Sequence, residues 1–145
     1  MNNAITLLLV RSAAWLLLVS FLTGGYAGAA LAGKIPVDGH AALASHTSGI
    51  LGALTLFALA FCQPLISLSD LGKRRLAWLM IVPMWSNWLI TAVKAAVHAR
   101  GIDLVGERTN DTIFGLLNVF VVLPTLAATG AWVFGLSKSA RTRAT

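Results

Sequence analysis

Apolar residues dominate four stretches of the chain, and polar residues gather between them and at the two ends. The stretches cover residues 13–31, 41–68, 76–97 and 113–136. Each is long enough to cross the ~30 Å hydrocarbon layer of a bilayer as an α-helix of about 20 residues. In the second, the deep part starts after Gly49. The connections GKIPVDGH, SDLGKRR and ARGIDLVGERTND are short, and nothing between the blocks reads as a linker or soluble appendage. The pattern predicts an all-α protein, an integral membrane bundle of four transmembrane helices forming a single domain over 1–145. Arg11 and the apolar run after it also suggest a signal peptide, but the run is long for that role and three more spans follow.

The third stretch carries a polar seam. In MWSNWLITAVKAAVH, residues 84–98, the positions Asn87, Thr91, Lys94 and His98 lie four, three and four apart, which on a helix is one face. Polar groups facing lipid are costly, so the seam is expected to face a bundle interior, a cavity or a subunit interface. Lys94, near the helix end, is also able to snorkel to the headgroups. The fourth stretch has a shorter seam of Asn118, Thr125 and Thr129, with Asn118 expected about 7.5 Å into the helix. Pro83 and Pro124 are expected to kink their spans or free a carbonyl. Gly24 and Gly28 in TGGYAGAALAG permit close helix approach. The five tryptophans, Trp15, Trp78, Trp85, Trp88 and Trp132, read as interfacial anchors or packing residues.

Composition agrees with the pattern: 57% of the 145 residues are hydrophobic and 11% charged, and the mean hydropathy is +0.80. The formal charge of +6 does not indicate nucleic acid, because the cations sit at the ends of apolar runs rather than in a stripe. Anionic lipid is the expected counterpart. Arg11, Lys73, Arg74, Arg75, Lys138, Arg141 and Arg143 fall on one side of a four-span plan, and Lys34, Lys94, Arg100 and Arg108 on the other. Positive residues accumulate inside, so both termini are expected in the cytoplasm, the bundle in the cell inner membrane, and His46, Lys94, His98 and Asn118 in the outer half. The lone Cys62 forms no intrachain disulfide.

His46 lies in SHTSGILGA, where Gly49 and Gly52 remove bulk one and two turns on. A histidine with space beside it is a candidate ligand for a metal or a flat macrocycle through its neutral imidazole. No second histidine follows at the third or fourth position, and neither HExxH nor CxxCH occurs, so any metal site is assembled from separate helices or subunits.

The order of SHTSG, PLISLSD, WSNW and a polar residue early in the fourth span resembles the small membrane isomerases, the hydroxylaminobenzene mutases and styrene oxide isomerases, over residues 12–136. The resemblance implies a homotrimer of four-helix subunits, with haem b between subunits, His46 as its ligand, and a small aromatic substrate. Ferric iron would act as a Lewis acid without net redox change. Length and the Ser86–Trp88 run look closer to the mutases, which rearrange aryl hydroxylamines to ortho-aminophenols. Gly52 and Thr91 stand where the epoxide isomerases carry asparagine and tyrosine, and Ser48 where the mutases carry an acid. By this analogy Asn87 and Asn118 are the candidates for orienting the substrate oxygen. The alternatives are an epoxide isomerase, a haem-binding electron-transfer protein with His98 as second ligand, and a membrane protein without catalysis.

Overall fold

The computed structural model describes residues 3–144, with side chains over 4–139. Four helical spans run antiparallel, as expected, and among the described residues there is no strand. Their ends differ from the apolar runs because capping, rather than hydropathy, stops a helix. Helix α1 is Asn3–Leu31, α2 is Gly39–Cys62 and α3 is Asp70–Ala96. The fourth span is built from α4, Arg108–Leu117, a wide π turn over Asn118–Val122, and α5, Leu123–Ala144.

Each boundary has a local cause. Helix α1 stops at Gly33, whose φ of 68° is open to glycine. Gly33 N–H bonds the Ala30 carbonyl at 3.0 Å and Lys34 N–H the Ala29 carbonyl at 2.9 Å, the paired closure of a Schellman turn. Asp38 caps α2 by accepting from Ala41 N–H at 3.0 Å, while its own N–H reaches the Ala95 carbonyl and ties this loop to the end of α3. Ser69 caps α3. The Glu107 carboxylate accepts from the N–H groups of Thr109 and Asn110 and so starts α4.

The two prolines act differently. Pro83 is fully buried inside an unbroken α3. Ahead of Pro124 the helix widens, and Leu123 N–H reaches back five residues to the Asn118 carbonyl. Pro124 brings no N–H and its ring crowds the carbonyl four residues back, which favours such a detour. Asn118 therefore lies ten residues from the start of α4, about 15 Å along the axis rather than 7.5 Å.

His98 departs from the seam. Helix α3 ends at Ala96, His98 takes a left-handed φ of 53°, and Ala99 N–H bonds the Lys94 carbonyl across it. His98 thus fills the turn position that glycine usually occupies, and it leaves the helical face that Asn87, Thr91 and Lys94 share.

Helix α2 packs between α1 and α3, and the fourth span lies against α3. Two apolar clusters fill the bundle. The larger, toward the end bearing the termini, includes Leu9, Leu16, Leu56, Leu59 and Met80. The smaller, at the opposite end, joins Ala27, Ala30, Ala41, Ala42 and Ala95. Only 11% of the fourth span's apolar window is buried, against 28–39% for the other three, so this span presents most of its surface outward.

The Asp38 cap yields a prediction. Its carboxyl is held below the usual 3.8, chiefly by the Ala41 N–H, with the backbone of His40 and the nearby histidine charges adding to the effect and partial burial opposing it. A depressed carboxyl contributes stability that is present at neutral pH and lost as pH falls through the folded-state value. Asp38→Ala should cost about 0.5–2 kcal/mol at pH 7. Thermal unfolding in detergent should show this gap closing below the ordinary carboxylate range.

Candidate functional site between the first three helices

Between the two apolar clusters lies a polar layer. Ser20 and Ser45 are fully buried in it, and His46 is half-buried beside them. His46 lies seven residues past Gly39, about 10 Å into α2, deeper than a residue at the helix opening. Its Nδ1 is 2.6 Å from the Ser20 carbonyl of α1, which also accepts the Thr23 hydroxyl at 2.7 Å. A carbonyl can only accept, so the neutral ring carries its hydrogen on Nδ1 and leaves a lone pair on Nε2. Among the described residues no hydrogen bond uses that Nε2.

Glycine makes the layer possible. A Cβ at Gly24 would stand 3.1 Å from His46 Cε1 and 3.3 Å from Nδ1, so the imidazole lies against bare α1 backbone. The space expected beside His46 from Gly49 and Gly52 is occupied by neighbouring helices. A Cβ at Gly49 would collide with Ser20 Oγ and come within 2.9 Å of Trp88 Cδ1, and one at Gly52 would meet Leu16 and Met84. These two glycines bring α1 and α3 onto α2. Gly28, by contrast, has nothing within 4 Å of its Cβ position.

Helix α3 joins the layer through the WSNW run. Ser45 Oγ donates to the Trp88 carbonyl at 2.9 Å, and Trp85 Nε1 donates to Ser12 Oγ at 2.9 Å. The two indoles pack edge to face, with centroids 5.9 Å apart at 86°. Trp85 and Trp88 are thus mid-helix packing residues, whereas Trp15 and Trp78 are exposed. Trp88 Nε1 is buried without a partner, as are Thr125 Oγ1 and Trp132 Nε1.

The asparagines are half-buried and bond within their own helices. Asn87 Oδ1 accepts from Thr91 at 3.4 Å, leaving its amide hydrogens unclaimed, while Asn118 Nδ2 donates to the Phe114 carbonyl at 2.9 Å. Among the described residues no hydrogen bond joins His46, Asn87 and Asn118 to one another. His98 Nε2 lies 3.2 Å from the Pro36 carbonyl, and Lys94 Nζ donates to the Arg100 carbonyl at 3.0 Å, so both serve loops at the bundle's end.

The donor chemistry of His46 fits a group that needs one protein ligand. Metal-bound histidines commonly fix their second nitrogen on a carbonyl or carboxylate, as Nδ1 does here. Among the described residues no cluster of three His, Cys, Asp or Glu side chains occurs. A macrocycle, which supplies its own equatorial ligands, suits a lone imidazole better than a bare ion. On the two helices that hold this histidine, Leu43, Leu51 and Leu54 of α2 and Phe21 of α1 are exposed apolar residues. Gly24 makes the close approach that its spacing from Gly28 suggests, whereas no sequence periodicity marks out Ser20 or Ser45.

Comparison with known proteins adds one result. A family model described as styrene oxide isomerase matches residues 5–137. No curated protein and no solved structure gives a match. The match bears out the resemblance to the small membrane isomerases and lies nearer the epoxide isomerases than the mutases expected from the WSNW run.

The packing around Gly49 is open to test. Gly49→Ala should overpack the layer, at a cost of about 1–3 kcal/mol. Thermal unfolding in detergent should show this loss, and adding Ser20→Ala, which removes the colliding hydroxyl, should recover part of it.

Proposed function

This chain belongs to the styrene oxide isomerase family, and from that premise we propose that it is a multi-pass membrane isomerase converting small aryl epoxides to carbonyl isomers. The observation that carries the reading is the half-buried His46 imidazole, locked by the Ser20 carbonyl with Nε2 left unpaired, inside the bundle that the family model matches over residues 5–137. The reaction balances without a redox partner. The benzylic C–O bond breaks, a hydrogen with its electron pair moves from the neighbouring carbon, and the oxygen closes to a carbonyl.

In this reading His46 holds haem b through Nε2, and the haem, when bound, supplies a Lewis-acidic iron. The Nδ1–H donates to the Ser20 carbonyl, which fixes the tautomer and orients the ring. Apolar walls keep water from an electron-poor carbon that would otherwise be captured as a diol. Asn87, with its amide hydrogens unclaimed, is placed better than Asn118 to hold a substrate oxygen. We assign the open face beside His46 to contact with further copies, as a homotrimer, in the inner membrane with cytoplasmic termini. The apolar exposure of the fourth span supports contact with further copies.

The aryl-hydroxylamine reading is retained for one reason. Gly52 and Thr91 withhold the two polar side chains that epoxide isomerases carry there, and Thr91 is only 7% exposed. Full-length protein purified in mild detergent with haem supplied during expression decides between the readings. Styrene oxide should yield an aldehyde without added cofactor. His46→Ala should abolish the Soret band and lower turnover by more than the ~10–100-fold that losing an outer hydrogen-bond partner costs. Conversion of phenylhydroxylamine with none of the epoxide would replace this reading by the mutase one. A haem-loaded protein inert on both would end it.

A further inference from the structure

Concave surfaces occur at the end bearing the termini. Two clefts flank the first turns of α3. One, of about 640 Å³, is walled by Ile5 and Leu8 of α1 and by Asp70, Arg74 and Trp78 of α3. The other, of about 690 Å³, is lined by Arg74, Arg75, Trp78, Leu79, Val82 and Pro124. Leu71, Arg74 and Trp78 line both, spaced three and four apart, so one ridge of α3 stands between two grooves. From Arg74 to Val82 is eight residues, about 12 Å along the axis. The second groove thus leads from guanidinium level toward the hydrocarbon.

The three cations of GKRR are not equivalent. Lys73 folds inward and its Nζ donates to the Gln63 carbonyl at 3.1 Å, closing the end of α2. Arg74 and Arg75 are exposed, and among the described residues neither takes part in an ion pair or hydrogen bond. Asp70, one turn before Arg74, leaves it unpaired as well. Guanidinium groups present planar donors suited to phosphate oxygens, and an exposed Trp78 beneath them sits against apolar walls.

We propose that this ridge is a binding site for an anionic phospholipid. The phosphate is held by Arg74 and Arg75, and the acyl chains descend in the two grooves on either side of Trp78. Charge decides the occupant, since a zwitterionic lipid would fill the grooves equally but gain less from two unpaired cations.

The test uses the full chain in vesicles, with lipids brominated on their acyl chains as quenchers. The Trp78 signal is the difference between the wild type and Trp78→Phe. Brominated phosphatidylglycerol should quench it more strongly than brominated phosphatidylcholine at equal mole fraction. The preference should fall on the order of thirtyfold in the Arg74→Gln/Arg75→Gln variant, as expected for two cations near an anionic leaflet. It should persist in Arg100→Gln, whose charge lies at the opposite end. Equal quenching by the two lipids in the wild type would overturn the proposal. So would a preference that survives the double substitution, or one lost equally in Arg100→Gln.

Discussion

The contact on which the site depends is the bond from His46 Nδ1 to the Ser20 carbonyl. Within a membrane, a polar side chain has no water to fall back on, so its partner must come from the protein. Here the partner is backbone, already engaged by Thr23, on a helix whose surface is stripped at Gly24 to receive the ring. Hydrogen bonds between membrane helices contribute only ~0.6–2 kcal/mol. The larger consequence is chemical. One nitrogen is committed as donor, and the other is left with the lone pair a metal requires.

That bond needs close helices, and close helices need small residues. Gly49 admits Ser20 and Trp88 from the two flanking helices, and Ser45 sends its hydroxyl to the Trp88 carbonyl. Polar groups therefore occupy one level, with apolar clusters above and below. The layer satisfies most of its own polar atoms, yet the indole N–H of Trp88 stays buried and unpaired. An orphaned donor of this kind usually costs about 1–3 kcal/mol. It lies one residue past Asn87, in the only stretch of α3 where asparagine, serine and tryptophan adjoin.

Much of this was legible in the sequence, at the scale hydropathy operates on. Four spans and their order follow from apolar runs, because a helix that crosses a bilayer needs about 20 apolar residues. The helix ends were less legible: α1 and α4 begin well before their apolar cores, since helical hydrogen bonding continues until a cap or a left-handed turn stops it. His98 shows the cost of extrapolating period alone. The seam kept its spacing on paper to residue 98, but the chain turned left-handed there to close α3. His46 was visible as a histidine beside glycines. Their purpose was misread, because a glycine marks close approach without saying whether a cofactor or another helix approaches.

The same ambiguity bears on Gly52, which occupies the position where epoxide isomerases carry an asparagine. A Cβ there would stand 3.2 Å from Leu16 Cδ2 and 3.2 Å from Met84 Cβ. Contacts that tight require both neighbours to give way. An amide at residue 52 would thus need the Leu16 and Met84 side chains, on α1 and α3, to give by a few tenths of an ångström. That position is close-packed in this fold, and an amide with unclaimed hydrogens lies instead on α3, at Asn87. In the proposed site the hydrogen-bond donor would therefore come from α3 rather than α2, while the single imidazole stays on its carbonyl anchor.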